Sequence, residues 1–391
     1  MTEADLLAAA VLHGVHGVGQ RRLWRVYELL SGAFRLLCTR EGWEQVRAGR
    51  ALPEEVLRAA EERFARVCGG GEAPQKPRDV RILWWGDLEY PRGLREIPDP
   101  PFLLYARGDL HALALPPVAV VGTRRPTAYG LLVAERFAAG FVAEGVTVVS
   151  GMAFGIDAAA HRSALRAQGR TVAVLASGVD VPTPTAHRRL YEEILAGGGL
   201  VLSEMPLGTM AERGLFPLRN RLLSGVSRAV LVVESRSRGG AMLTAEWAQK
   251  HGRLLFAVPG PVFSPASEGP NRLLAAGGRP ALSPGEVLAH LSSETPGEFR
   301  PSSRAEGAFR LPSPQDKESG TAPESPSTRR ASAPEEQAIL ARLGTAPRTT
   351  EELLHELSLE PSALYALLVR LELAGLVRRL PGGRYARAEE K

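Results

Sequence analysis

The stretch that decides the fold is RAVLVVESRSRGGAMLTAEWAQKHGRLLFAVPG, which runs from Arg228 to Gly260. Two short apolar runs of strand character enclose a segment whose apolar side chains recur at helical spacing. Continuous apolar strands that alternate with helices indicate a parallel sheet covered by helices on both faces. The glycines and arginines that follow the first strand then fall at the carboxyl edge of that sheet, where open α/β sheets bind their ligands.

The same alternation extends upstream of this stretch. The apolar runs VAVV, VTVVS, TVAVLAS and LVLS are separated by helix patterns such as YGLLVAERFAAGFVAEG and DAAAHRSALRAQG. This pattern predicts an α/β fold with an extended Rossmann-like parallel sheet as its core, over residues 76–290.

Three flanking regions differ from this core in composition. Residues 1–75 contain short helix patterns separated by glycines, which predict a small all-helical domain of SAM-like or helix-hairpin-helix-like type. The turn HGVHGVGQRR in it suits an approach to DNA phosphate, and it suits a plain interhelical turn equally well. Residues 291–333 predict a flexible linker, because a Ser-, Pro- and charge-rich segment buries too little apolar surface to offset its ordering entropy. Residues 334–391 contain three helix patterns and the hairpin RRLPGGRYAR, which predict a winged helix.

Charge and cysteine content restrict the kind of partner that the protein binds and the cellular compartment in which we expect it. The 391 residues carry a formal charge of +5, and the segment Thr209–Arg253 alone carries the same excess, with eight Lys and Arg against three Glu. A local positive excess favours an anionic partner. Cys38 and Cys68 lack the spacing of a disulfide framework, so we expect two buried apolar residues in a reducing cytoplasm. No apolar run approaches the roughly 18 residues of a membrane span, so neither membrane insertion nor secretion is expected.

Three strand-to-helix loops carry groups that suit an anion. Arginine forks bind phosphate, and the free amides at a helix start favour negative charge. Three such loops at one sheet edge favour a long anionic groove over a single phosphate site. The loops are GTRRPTAYG with Arg124 and Arg125, GMAFGIDAAAH with Gly151 and Gly155, and RSRGGAMLTAEWA with Arg238, Gly239, Gly240 and Thr244.

The hexapeptide FPLRNR adds an aromatic side chain to these donors. Phe216 offers a face for base stacking, and Arg219, Asn220 and Arg221 offer hydrogen-bond donors. Arginines beside an aromatic platform are typical of single-stranded nucleic acid binding. An alternative, in which Asn220 and Arg221 hold the loop to the core, stays open for some of these residues.

Signals for catalysis or metal binding are weak. The chain lacks the P-loop pattern GxxxxGK[ST] and a complete GxGxxG with its ribose-binding acid. Asp157 and His161 stand four residues apart, and a helix-start carboxylate with a histidine bonded back to a loop is favoured over a metal pair. Glu204 and Glu234 are interpreted as partners of loop amides or arginines. We therefore predict no enzymatic activity, no metal and no cofactor.

Taken in order, seven motifs resemble the core of the DNA-processing protein A (DprA or Smf) family over Val118–Gly278. They are VGTRRPTAYG, SGMAFGIDAAAHRSAL, TVAVLASGVDVPTPTAHRRL, SEMPLG, FPLRNRLLSGVSRAVLVVES, GGAMLTAEWAQKHGRLLFAVPG and GPNRLLAAGG. The resemblance implies binding of single-stranded DNA without hydrolysis, a homodimer formed through the Rossmann domain, and protection of incoming DNA with loading of RecA recombinase during natural transformation. By position it adds Arg213, where the family often has a lysine. Thr185 and Gly240 stand where a lysine and a serine are common, which leaves phosphate contacts at those positions undecided.

Two other functions stay as alternatives. A Rossmann-like nucleotide-processing hydrolase shares glycine-rich loops, although AVPGPVFSPASEG does not match the PGGxGT pattern of such enzymes. A transcription regulator would read duplex DNA through the winged helix, yet residues 334–391 carry eight Lys and Arg against nine Asp and Glu, which provides little charge-driven affinity.

Overall fold

The computed structural model describes residues 1–68, 79–293, 334–343, 348–357, 364, 367–368, 371–372, 376–380 and 384–387. The chain divides into two compact units, Met1–Leu311 and Pro312–Lys391. Across the described ranges, no helix combines the length and the hydropathy that crossing a bilayer requires.

A nine-stranded sheet forms the centre of the larger unit. Its strands lie in the order β1-β2-β6-β5-β4-β3-β7-β8-β9. The β1–β2 and β2–β6 pairs are antiparallel, and the other six pairs are parallel. The predicted Rossmann-like sheet is therefore confirmed, with two antiparallel strands added at one edge. The strands are β1 (Val80–Trp84), β2 (Leu103–Gly108), β3 (Pro117–Val121), β4 (Thr147–Ser150), β5 (Thr171–Val174), β6 (Leu200–Ser203), β7 (Ala229–Val232), β8 (Leu254–Ala257) and β9 (Arg279–Pro280).

Helices cover both faces of this sheet, which explains why its central strands are apolar throughout. Alternate residues of β3 divide between two cores: Ala119 and Val121 pack with α9 and α10 on one face, and Val118 and Val120 pack with α6 and α7 on the other. The helices of the sheet region are α5 (Arg92–Arg95), α6 (Ala128–Ala143), α7 (Ile156–Arg166), α8 (Arg188–Ala196), α9 (Leu215–Val226), α10 (Gly240–Lys250), α11 (Glu268–Ala275) and α12 (Pro284–Ser293).

The N-terminal region is helical, as predicted, and it shares a core with the antiparallel end of the sheet. The Nδ1 atom of His13 lies 3.0 Å from the hydroxyl of Tyr105 on β2, and the rings of Trp24 and Phe102 meet edge to face at 5.0 Å. This packing joins the helices to the sheet in one compact unit. The predicted boundary near residue 75 lies outside the described residues. The helices are α1 (Glu3–His13), α2 (Gln20–Leu29), α3 (Arg40–Ala48) and α4 (Glu54–Cys68).

The expectation that Cys38 and Cys68 are two separate buried thiols is wrong. Cys38 ends a 3-10 helix after α2, Cys68 ends α4, and both residues are exposed. They form a disulfide with a Cα–Cα distance of 5.9 Å across 30 residues of chain. Packing of α4 against the 3-10 helix brings the two ends together, and the spacing of two isolated cysteines does not reveal such an approach.

The smaller unit has the predicted winged-helix character. Its helices α13 (Pro334–Leu343) and α14 (Thr350–Leu357) accompany a three-stranded sheet in the order β10-β12-β11. The hairpin expected from RRLPGGRYAR is the antiparallel pair of β11 (Val377–Leu380) and β12 (Arg384–Arg387), and β10 is Arg348–Thr349. Much of the predicted third helix lies outside the described residues. So does the predicted linker 291–333, apart from its first three residues, which belong to α12.

Candidate nucleic-acid interface

A groove of about 980 Å³ opens between the carboxyl ends of β3 and β7. The chain leaves β3 through α6 on one face and leaves β7 through α10 on the other, so the two loops diverge and leave a crevice. The loops after β3, β4, β7 and β8, the starts of α7 and α10 and one side of α9 line it. The groove therefore lies at the topological switch point of the sheet, on the edge that the sequence pattern selected.

Nine of the thirteen predicted DNA-binding residues line this groove, and they come from three separate segments. Its lining also includes residues that the sequence pattern did not single out, among them Thr123, Arg236, Ser237 and Glu268. Arg236 stands between a strand and a glycine pair, a signal that would have identified it. The nine predicted residues are Arg124, Arg125, Phe216, Arg219, Asn220, Arg238, Gly239, Gly240 and Thr244.

Arg124 and Phe216 meet at the mouth of the groove. The guanidinium carbon of Arg124 lies 5.0 Å from the centre of the Phe216 ring, although the two residues belong to different segments. A guanidinium over an aromatic face is a cation–π contact. Because Arg124 is exposed and Phe216 is half-buried, the pair presents a flat surface on which a base can stack.

The positive charge of the groove is largely uncompensated. Arg124, Arg125, Arg236 and Arg238 are exposed, and none of them pairs with a carboxylate in the part of the chain that the structure describes. Two carboxylates also line the groove, but both are engaged with the protein itself. Glu268 accepts from the amide of Ser237 at 3.4 Å and pairs with Arg272 at 2.9 Å, and Asp157 accepts from loop amides.

Arg219 lines the floor of the groove, and its side chain is almost entirely buried. Its guanidinium donates to the carbonyl oxygens of Gly151, at 2.7 Å, and of Val174. Burial lowers the pKa of Arg219 to about 10, and Asp157 opposes that shift. Arg219 is therefore protonated at neutral pH and adds a fixed positive charge at the floor of the groove. Burial also raises the pKa of Asp157, against the effects of Arg219 and the loop amides.

The two predicted glycines of the loop after β4 act below the groove. A Cβ atom on Gly151 would collide with the guanidinium of Arg219, and one on Gly155 would collide with the carbonyl oxygen of Thr123. Gly155 also has φ +78°, a conformation that side chains rarely adopt. Gly155 therefore lets the loops after β3 and β4 approach closely, and Gly151 leaves room for the guanidinium of Arg219; neither glycine lines the groove.

Arg221 does not lie in the groove. Its side chain is buried and pairs with the carboxylate of Glu204, and it also donates to the carbonyl oxygen of Asp99 at 2.9 Å. FPLRNR is helical, so Arg219 and Arg221 point to opposite sides of α9. Phe216, Arg219 and Asn220 share the face toward the groove. The buried ion pair with Glu204 therefore keeps Arg221 away from the groove. Arg213, before α9, is exposed and does not line the groove either.

The remaining acidic and histidine candidates have structural roles, as interpreted from the sequence. Glu234 accepts from the amide of Thr127 at 2.9 Å and from its hydroxyl at 2.5 Å. His161 contacts the hydroxyl of Thr171 at 2.7 Å, and burial lowers its pKa to about 3, so the ring is neutral. Over the described ranges, no group of three or more His, Cys, Asp or Glu residues is arranged to hold a metal ion.

Comparison with known proteins gives matches to the same family in the sheet region and in the winged helix. The model of DNA recombination-mediator protein A matches residues 81–292, and the DprA winged helix domain model matches residues 322–383. Protein Smf of Synechocystis sp. is 37% identical over 400 residues, which cover 98% of each chain. DNA processing protein DprA of Bacillus subtilis is 37% identical over 249 residues, which cover 63% of this chain and 82% of that protein.

A solved structure agrees with these matches. The X-ray structure of DNA processing protein A from Streptococcus pneumoniae superimposes with a TM-score of 0.60 and 31% identity, covering 74% of this chain and 97% of that one. The core model covers more than half of the present chain, and the Synechocystis relative aligns along almost all of it. The protein therefore belongs to the DNA recombination-mediator protein A family, as its sequence motifs indicated.

Proposed function

We propose that the protein binds single-stranded DNA in the groove between β3 and β7. The observation that carries this proposal is the Arg124–Phe216 stack at the mouth of a groove whose exposed arginines have no carboxylate partner in the described chain. Arginines neutralise successive phosphates, and an aromatic ring stacks on a base of any sequence. A single strand is favoured over a duplex, because duplex bases are already stacked on each other and cannot turn a face toward Phe216.

Membership of a recombination-mediator family supports a finer proposal. The protein holds and protects an incoming strand in the cytoplasm during natural transformation and transfers it to RecA recombinase. No nucleotide turnover is needed for this role. The carboxylates nearest the groove support that reading, since Asp157, Glu234 and Glu268 are each engaged by backbone amides or hydroxyl groups.

The Rossmann-like region also supports the proposed homodimer. Val262, Phe263 and Leu282 expose 78%, 96% and 67% of their surface near the β8–β9 edge of the sheet. Large apolar side chains exposed on a monomer often mark a protein–protein contact. In a dimer with two-fold symmetry, the same surface of a second copy of the chain would cover these residues.

The test is a salt titration with single-stranded and duplex DNA. Arg124→Ala should weaken single-strand binding and reduce the slope of log K against log salt by about 0.7, because one phosphate contact is lost. Phe216→Ala should weaken binding by about 1 to 3 kcal/mol and leave the slope nearly unchanged, because stacking neutralises no charge. Arg92→Ala is the matched control, since Arg92 is exposed and paired with Glu96 outside the groove.

Two outcomes would contradict the proposal. In the first, the Arg124 and Phe216 variants bind like the wild type while remaining folded by circular dichroism. In the second, the wild type prefers duplex DNA, which would favour the alternative of a transcription regulator. Steady hydrolysis of ATP or another nucleotide that is lost on replacing Glu234 would favour the hydrolase alternative.

A further inference from the structure

A second basic groove lies on the N-terminal helices and has no part in the site between β3 and β7. Its volume is about 720 Å³. Five arginines line it: Arg21, Arg22 and Arg25 of α2, Arg47 of α3, and Arg50 in the turn that follows. This arrangement brings together cations from two parts of the chain about 20 residues apart.

Backbone carbonyl groups hold two of these arginines without neutralising them. Arg25 donates to the carbonyl oxygen of Gly49 at 3.1 Å, and Arg22 donates to that of Gly17. A carbonyl oxygen fixes the position of a guanidinium group and leaves its full charge in place. Each group therefore keeps further N–H donors for a ligand.

The carboxylates of this region leave most of the charge uncompensated. Glu61 pairs with Arg47 at 2.7 Å, and Glu54, which lines the groove, pairs with an arginine outside it. Arg21 and Arg50 are exposed, and neither side chain has a partner among the residues that the structure describes. Like charges held around one groove repel each other, and a polyanion relieves that repulsion.

The backbone of Arg50 adds a separate observation. Arg50 follows the end of α3 with φ +48°, and the amide of Ala51 donates back to the carbonyl oxygen of Val46 at 3.2 Å. This left-handed position after a helix is the one where glycine or asparagine is preferred. An arginine there is conformationally less favourable than a glycine, so a glycine at this position would remove the side chain without straining the backbone.

The start of α2 connects this groove to the carboxyl edge of the sheet. The side chain of Gln20 donates to the carbonyl oxygen of Glu204, directly after β6, at 3.0 Å. Three strand spacings, about 15 Å, separate β6 from β3 along that edge. Between them, in the loop after β4, Phe154 has 46% of its surface exposed next to Ala153, which lines the first groove.

We propose that the strand bound between β3 and β7 continues across the ends of β4 and β5 onto Arg21, Arg25 and Arg50. The ligand is the phosphodiester backbone of the same single strand, so this inference rests on the proposed function. A stacked strand advances about 3.4 Å per nucleotide, so about four nucleotides span the distance from β3 to β6. A long strand then contacts both surfaces, whereas a short one fills only the first groove.

The test compares oligodeoxythymidine of about 6 nucleotides with one of about 20 nucleotides. The triple variant Arg21→Gln, Arg25→Gln, Arg50→Gln should bind the short strand like the wild type. It should bind the long strand about 10- to 100-fold more weakly near 0.1 M salt, with a salt slope lower by about 2, because three phosphate contacts are lost. The control triple Arg40→Gln, Arg81→Gln, Arg92→Gln removes the same charge from exposed arginines that pair with glutamates, and should bind both strands nearly as the wild type does.

A single substitution separates a DNA contact from a role in folding. Arg50→Gly should keep or raise the melting temperature, because glycine suits the left-handed turn, and should still weaken binding of the long strand. A lower affinity that accompanies a lower melting temperature would assign Arg50 to the fold instead.

The outcomes distinguish this inference from the proposed function. The inference is overturned if the triple variant binds both strands with the affinity of the wild type. It is also overturned if the variant loses the same affinity for both lengths, because that result indicates a general charge effect. A loss confined to duplex DNA also overturns it, because the surface then binds another form of DNA. If Phe216→Ala leaves both lengths unaffected, the proposed function fails first.

Discussion

Replacing Arg221 with alanine should destabilise the fold and leave the DNA groove intact. Arg221 pairs with Glu204, and their side chains are only 7% and 4% exposed. Without Arg221 the Glu204 carboxyl group stays buried with no arginine beside it, and at a pH where it is ionised this uncompensated charge costs about 3 to 5 kcal/mol. Arg124, by contrast, is exposed, so its replacement should alter binding and barely affect stability.

The pH dependence identifies Glu204 as the source of that loss. Burial raises the pKa of Glu204 to about 7, and Arg221 opposes the shift, whereas an unfolded glutamate titrates near pH 4.3. Because the folded pKa is the higher one, stability from this group is present below about pH 4.3 and is lost as the pH rises through about 7. Without Arg221 the folded pKa rises further. Above about pH 7 the free energy of unfolding of the wild type no longer changes through this group. That of the variant should continue to fall by about 1.4 kcal/mol per pH unit.

Urea unfolding of the wild type and Arg221→Ala between about pH 6 and about pH 9 measures this difference. The double variant Arg221→Ala, Glu204→Gln is the control, because without the carboxylate the extra loss at high pH should disappear. Single-strand affinity, measured where each variant is folded, should stay within about twofold of the wild type. The reasoning is refuted if Arg221→Ala is as stable as the wild type at pH 8, or if it reduces the salt slope as Arg124→Ala should.

Two further predictions concern the groove and the N-terminal helices. A Cβ atom on Gly240 meets nothing within 4 Å, so Gly240→Ser should add a phosphate hydrogen bond and tighten single-strand binding by about 1 kcal/mol. Gly239→Ser is the matched control, since its Cβ would collide with the hydroxyl of Ser235. Fluorescence titration measures both affinities, and equal binding by the two variants would contradict a phosphate contact at position 240. For the disulfide, Cys38→Ser should lower the free energy of unfolding relative to the oxidised wild type by about 3.6 kcal/mol, because a closed loop of 30 residues is released. Equal denaturant midpoints for the variant and the oxidised wild type would contradict this.

Much of the fold was predictable because its signals are local. The continuous apolar runs from β3 to β8 reflect burial on both faces, and the glycine-rich loops mark the carboxyl edge of any parallel sheet. The winged helix followed from helix spacing and a Pro-Gly-Gly turn. The prediction that several arginine-bearing loops form one groove succeeded for Arg124, Arg125 and Arg238 in the sense that the structure brings them together, although their contact with DNA stays a proposal.

The sequence by itself determined the Rossmann-like sheet, the winged helix and the carboxyl edge that presents the arginines, because periodicity and turn residues act over a few neighbouring positions. Only the tertiary structure decided which arginines face the groove. Arg219 and Arg221 look alike in FPLRNR, yet helical rotation places one at the floor of the groove and pairs the other with Glu204, a partner 17 residues away. The Cys38–Cys68 disulfide and the approach of α2 to the sheet edge through Gln20 have the same origin. Contacts between residues distant in sequence depend on how whole elements pack, and no local pattern encodes that packing.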